Sequence, residues 1–174
     1  MNGRNVFTLT PRKKRSRTHV LYLHGGAYVQ GFVKPHWLFL QELIKSSHCT
    51  VTAPDYPLAP ANTYKETVAM VLNVYKHLIA DVHERDLILM GDSSGGGLAL
   101  AIAQQLRIES VPQPARIILL SPWLDITLSN QEIKNIDRTD PFLGIEGLLK
   151  AGKAYAGNTD PRHYLLSPIY GSLQ

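Results

Sequence analysis

A chain of 174 residues, 44% of them hydrophobic, is long enough for one core and too short for two. Its formal net charge of +4 rests on Arg12, Lys13, Lys14, Arg15 and Arg17, without which the balance is −1; no aromatic interleaving or binding-module motif goes with that cluster, which argues against nucleic acid as a partner and leaves an acidic-lipid contact the weaker reading. One cysteine excludes an internal disulfide, no apolar run reaches the ~18 residues of a membrane span, and no apolar leader follows Met1, so the chain reads as cytoplasmic and without stable membrane insertion.

In chain order, Val6-Phe7-Thr8-Leu9 and residues 18–23 are predicted as antiparallel neighbours, with the basic cluster in a solvated hairpin turn between them. Residues 35–45 read as a helix with Pro35 in its first turn and Leu40, Leu43 and Ile44 at helical spacing. Residues 49–53 form a short strand stopped by Pro54, with Cys49 a buried structural thiol at its start. Pro54, Pro57 and Pro60 keep the next segment extended. Residues 64–80 are helical, with Val68, Val71, Leu72, Tyr75, Leu78 and Ile79 on one face. Residues 87–90 form a strand, 94–107 a helix with a small-residue face, 116–120 another buried strand because its apolar run does not alternate, and 146–155 a further helix. Strands alternating with helices predict an α/β fold with a mostly parallel sheet covered on both faces.

Two of the junctions carry chemistry. Gly91-Asp92-Ser93-Ser94-Gly95 lies between a strand and a helix, which is the setting of a nucleophile elbow. A serine there is thrust out at the strand's carboxyl end, and side chains two residues to either side of it would collide with neighbouring chain. The competing reading of Ser93 is a helix N-cap. His24-Gly25-Gly26-Ala27 follows the strand at 18–23, where a glycine-rich loop offers backbone N–H groups to a developing oxyanion. The candidate donors come from Gly25, Gly26, Ala27 and Ser94, with Gly26, Ala27 and Ser94 favoured, and Ala27 offers its N–H provided its φ stays negative. His24 starts the loop and is expected to hold it by hydrogen bonds rather than act as a base. Asp92 is read as structural, and Asp55 and Tyr56 as braces of the loop against the elbow. Gly91–Gly97 lacks the endings of phosphate- and dinucleotide-binding loops, and no metal-ligand spacing occurs.

With His24-Gly25-Gly26-Ala27, Asp55-Tyr56-Pro57-Leu58-Ala59-Pro60, Gly91-Asp92-Ser93-Ser94-Gly95-Gly96, Ser121-Pro122-Trp123-Leu124-Asp125 and Ser167-Pro168-Ile169-Tyr170-Gly171, the chain resembles the hormone-sensitive-lipase-like esterases of the α/β-hydrolase fold from about residue 20 to 171. Ala27, Pro57 and Ser94 stand where glycine, arginine and alanine are common in that family. The resemblance implies a single α/β-hydrolase domain over 1–174 that lacks lid and C-terminal strands, a serine carboxylesterase or lipase activity on small uncharged esters, and no cofactor. It also implies a triad in the order Ser, Asp or Glu, His, yet only His163 follows Ser93. The expectations are therefore that the chain is a fragment whose base and acid lie beyond Gln174 and that alone it is inactive or nearly so. A weaker in-chain candidate pairs Asp125 with His163. Without strands beyond 116–120, that strand becomes an apolar edge open to a partner chain, which leaves self-association open. The second functional reading is a hydrolase-fold binding or interaction module without catalysis.

Overall fold

The computed structural model describes residues 3–137 and 139–172. Its elements, in chain order, are β1 (Val6–Leu9), β2 (His19–Leu23), α1 (Lys34–Ser47), β3 (Thr50–Pro54), α2 (Tyr64–Asp81), β4 (Leu87–Asp92), α3 (Ser93–Ile108), β5 (Arg116–Leu120), α4 (Ile133–Ile136) and α5 (Ile145–Ala156), with short 3₁₀ turns at Glu84–Asp86 and Pro168–Tyr170. The sheet order is β1-β3-β2-β4-β5. The strands from β3 to β5 are parallel and β1 is antiparallel to β3.

The period of two along each strand splits the core. Leu21, Leu23, Leu87 and Leu89 point to the side covered by α2, α3 and α5, where Val68, Val71, Leu98, Ile102 and Tyr155 meet them. Val20, Tyr22, Val51, Ala53 and Met90 point the other way, under Leu40, Trp37, Leu43 and Ile44 of α1. Helices therefore cover both faces, and Cys49 is buried on the α1 side.

Local chemistry sets the helix boundaries. Pro35 occupies the first turn of α1, and the helix ends at His48, which is left-handed at φ 57° and donates its N–H to Ile44 O at 2.9 Å. The start of α2 is fixed by Glu66, whose Oε2 accepts both the Thr63 N–H and hydroxyl at 2.8 Å.

Two expectations fail at the sheet edges. The strand at 6–9 does not form a hairpin with β2; it pairs with β3 in the register Val6↔Pro54 to Leu9↔Val51. The cause is burial. Every residue of β2 is buried, so it needs a neighbour on each side, and β3 and β4 supply both. The basic residues 12–15 and 17 are exposed as expected, but on a connection that passes the start of β3, where Ser16 N–H donates to His48 O. The strand at 116–120 is a half-exposed edge rather than a buried strand, with Ile117 38% exposed.

Candidate active site

β4 delivers its last residue, Asp92, to the start of α3, and the chain turns sharply at Ser93 with φ 50°. A non-glycine residue in this region is strained, and the turn holds because its surroundings leave no alternative. A Cβ at Gly91 would lie 2.3 Å from Gly95 O, and one at Gly95 would lie 2.1 Å from Leu23 O and 2.4 Å from His24 O. The elbow thus packs backbone against backbone on the end of β2, where the segment His24–Ala27 departs. Trp123 N–H donates to Ser93 O at 2.8 Å and fixes the turn from the β5 side. Ser93 is half-buried, and its Oγ has no hydrogen-bond partner among the described residues.

The loop after β2 runs through three consecutive positive φ values: Gly26 at 126°, Ala27 at 51° and Tyr28 at 62°. The condition of a negative φ at Ala27 is therefore not met. The loop must reverse its hand at once, because Val29 and Gln30 both donate their N–H groups to Gly26 O, at 3.0 and 2.9 Å. Tyr28 is then driven into the core, stacked on Tyr155 with ring centroids 3.7 Å apart. The N–H groups of Gly26 and Ala27 have no acceptor among the described residues, and that of Ser94 lies in the first turn of α3, where no intrahelical partner exists. The Gly25 N–H is engaged: it donates to Asp92 Oδ1 at 2.9 Å.

His24 is fully buried, stacks on Tyr56 with centroids 4.2 Å apart, and donates from Nδ1 to Gly25 O at 2.7 Å. Burial lowers its pKa, which keeps the ring neutral. The Tyr56 hydroxyl donates to His24 O. Asp92 accepts the Tyr22 hydroxyl as well as the Gly25 N–H, and its Oδ2 lies 3.6 Å from His36 Nε2. His36 is the residue that sequence reasoning missed: placed on a helix surface by its position, it is instead half-buried beside His24, Phe32 and Tyr22. The available signal was its position three residues after Val33, where a side chain can reach back to the helix start; Nδ1 accepts the Val33 N–H at 3.1 Å.

The structure does not bring Asp125 and His163 together. Both Asp125 oxygens are taken by Thr127 and Ser129, at 2.6–3.0 Å, with the Tyr170 hydroxyl at 3.3 Å. Burial raises the Asp125 carboxyl, but these hydrogen bonds outweigh it and hold the pKa below the usual value. His163 Nδ1 accepts the Leu165 N–H, and its ring lies against Tyr64 and Tyr164. Asp125 is a loop clasp, and the in-chain triad is not formed. A cleft of about 890 Å³ between β1, α1 and the connection after β1 opens at the amino ends of the parallel strands and contains none of the candidate residues.

The chain matches the sequence profile described as α/β hydrolase fold over residues 20–174. An esterase of Acinetobacter venetianus is 33% identical over 159 residues, 88% of this chain and 52% of that protein. An acetyl-hydrolase of Streptomyces hygroscopicus is 32% identical over 164 residues, 94% of this chain and 54% of that protein. The crystal structure of an esterase from the bacterial hormone-sensitive lipase family superposes with a TM-score of 0.93 at 32% identity, over 99% of this chain and 59% of that one. The chain spans about half the length of the curated relatives it matches.

Proposed function

The chain belongs to the α/β-hydrolase-fold family that it matches over residues 20–174, and on that premise we propose that it carries the nucleophile half of a carboxylic ester hydrolase. Ser93 Oγ attacks the ester carbonyl carbon and gives its proton to a histidine base. The N–H groups of Gly26, Ala27 and Ser94 hold the carbonyl oxygen as it becomes an oxyanion. The alcohol leaves with the proton returned by the base; water, deprotonated by the same base, then attacks the acyl-serine, and the acid leaves as the base returns that proton to Ser93 Oγ. The base and the carboxylate that orients it are assigned to residues outside 1–174, because Asp125 and His163 are each engaged elsewhere.

One observation carries this reading: Ser93 sits at φ 50° on a turn whose glycine, Gly95, touches the β2 end from which the loop with two uncommitted N–H groups departs. The names of the relatives, esterase and acetyl-hydrolase, favour small esters with short acyl groups as substrates. No helix among the described residues is long and apolar enough to cross a membrane. A buried lone thiol fits the cytoplasm, where we place the protein. The solvated basic connection is given no nucleic-acid role.

The test is covalent labelling by a fluorophosphonate in the full-length protein, with p-nitrophenyl butyrate as substrate. Labelling and turnover are expected, and Ser93→Ala is expected to remove both. The 174-residue chain alone is expected to retain only the acceleration of about 10³–10⁴ over water that oxyanion donors and binding supply without a triad. Failure of the full-length protein to label would instead support a binding module without catalysis.

A further inference from the structure

We propose that Asp92 and His36 are positioning residues: they hold the oxyanion loop in register with the nucleophile by fixing the Gly25 amide. The proposal rests on the ester-hydrolase reading for its kinetic consequence, but its structural content stands on contacts alone.

Asp92 immediately precedes Ser93, and Gly25 immediately precedes the first uncommitted donor, Gly26. One hydrogen bond of 2.9 Å, from the Gly25 backbone N–H to the Asp92 carboxylate, therefore ties the loop to the elbow, each residue one position from the reacting groups. The fit is close. A Cβ on Gly25 would lie 2.2 Å from Asp92 Oδ2, so only glycine lets the carboxylate sit there. The carboxylate is in turn aimed by two side chains. The Tyr22 hydroxyl donates to Oδ1, and His36 Nε2 faces Oδ2 at 3.6 Å. The proton of His36 is placed by the same geometry. Nδ1 accepts the Val33 N–H at 3.1 Å, so the neutral ring carries its proton on Nε2, toward Asp92. The start of α1, the end of β4 and the loop after β2 are thereby joined through one carboxylate. Burial pushes the Asp92 carboxyl up, yet the His36 ring and the Tyr22 hydroxyl hold it below its usual range, as expected for an acceptor that must stay ionised.

A misplacement of about 1 Å at a catalytic group can cost roughly 10²-fold in rate. In the full-length protein, Asp92→Ala is expected to lower kcat by roughly 10- to 100-fold with KM changed by less than about threefold, because the donors that Asp92 positions grip the oxygen only as it becomes an oxyanion in the transition state. Asp92→Asn keeps an oxygen for the Gly25 N–H and is expected to restore most of the loss. His36→Gln can still reach back to Val33 and donate to Asp92, whereas His36→Glu caps α1 but repels the carboxylate; only the second is expected to lower kcat, at unchanged Tm. Hydrogen exchange of the 24–30 segment is expected to speed up in Asp92→Ala and His36→Glu and not in the other two. An Asp92→Asn enzyme as slow as Asp92→Ala, or unchanged exchange in Asp92→Ala, would overturn the proposal. If Asp92→Ala does not fold, the His36 pair decides. If the wild-type protein hydrolyses no ester, the function fails, and exchange still decides whether Asp92 holds the loop.

Discussion

Ala27 is the residue most visibly out of place. At φ 51° it occupies a region that costs an L-residue about 1–2 kcal/mol and that glycine enters freely. Ala27→Gly is therefore expected to stabilise the fold by about 1 kcal/mol, a rise in Tm of roughly 2–4 °C by thermal melting, with labelling of Ser93 retained. Alanine's presence was read from the sequence as a mild departure; its strain was not, because φ there depends on how Val29 and Gln30 fold back onto Gly26 O. Asp125 makes the complementary point. Its order after Ser93 fitted a triad, but order carries no distance, and four hydrogen bonds to Thr127 and Ser129 satisfy it locally. A carboxyl whose pKa is lowered by folding adds stability above its unfolded value, and that contribution disappears as pH falls through the lower folded value. Asp125→Asn is thus expected to lower Tm at neutral pH and to flatten the loss of Tm on the acid side relative to wild type.

At the scale of elements, α3 and the end of β2 meet backbone against backbone at Gly95. Gly95→Ala would place a methyl group 2.1 Å from Leu23 O, where only backbone movement can make room. A destabilisation of about 3 kcal/mol is expected, a fall in Tm of roughly 6–12 °C, together with loss of Ser93 labelling. Both junctions were legible in the sequence because glycine spacing encodes such contacts directly. The helices at 35–45, 64–80, 94–107 and 146–155 were legible through their periodicity, and the structure extends each by a residue or more at one or both ends. The partner of β1 was not, since strand pairing is settled by which strand is fully buried, and that is decided across the whole sheet. His36 escaped for a related reason: its acceptor role at the start of α1 is local, but its second nitrogen finds Asp92 only after β2 and β4 pair.

Across the molecule, the sheet places β3, β2 and β4 inside and leaves β1 and β5 at its margins among the described residues. β5 is apolar from Ile117 to Leu120, and Ile117 is 38% exposed. Such an edge templates pairing with other chains. The 174-residue chain is expected to associate with rising concentration in light scattering, and Ile117→Lys is expected to suppress it without lowering Tm, since a lysine at an edge blocks that pairing. The division of the core has a practical corollary. The protein has two tryptophans, Trp37 on the sheet-facing side of α1 and Trp123 against Tyr28 on the opposite side of the sheet. Each layer thus carries its own intrinsic fluorophore. Emission from Trp37→Phe would follow the layer nearest the elbow, and emission from Trp123→Phe the layer beneath α1. Noncoincident denaturant midpoints in the two variants would reveal that the layers come apart in sequence.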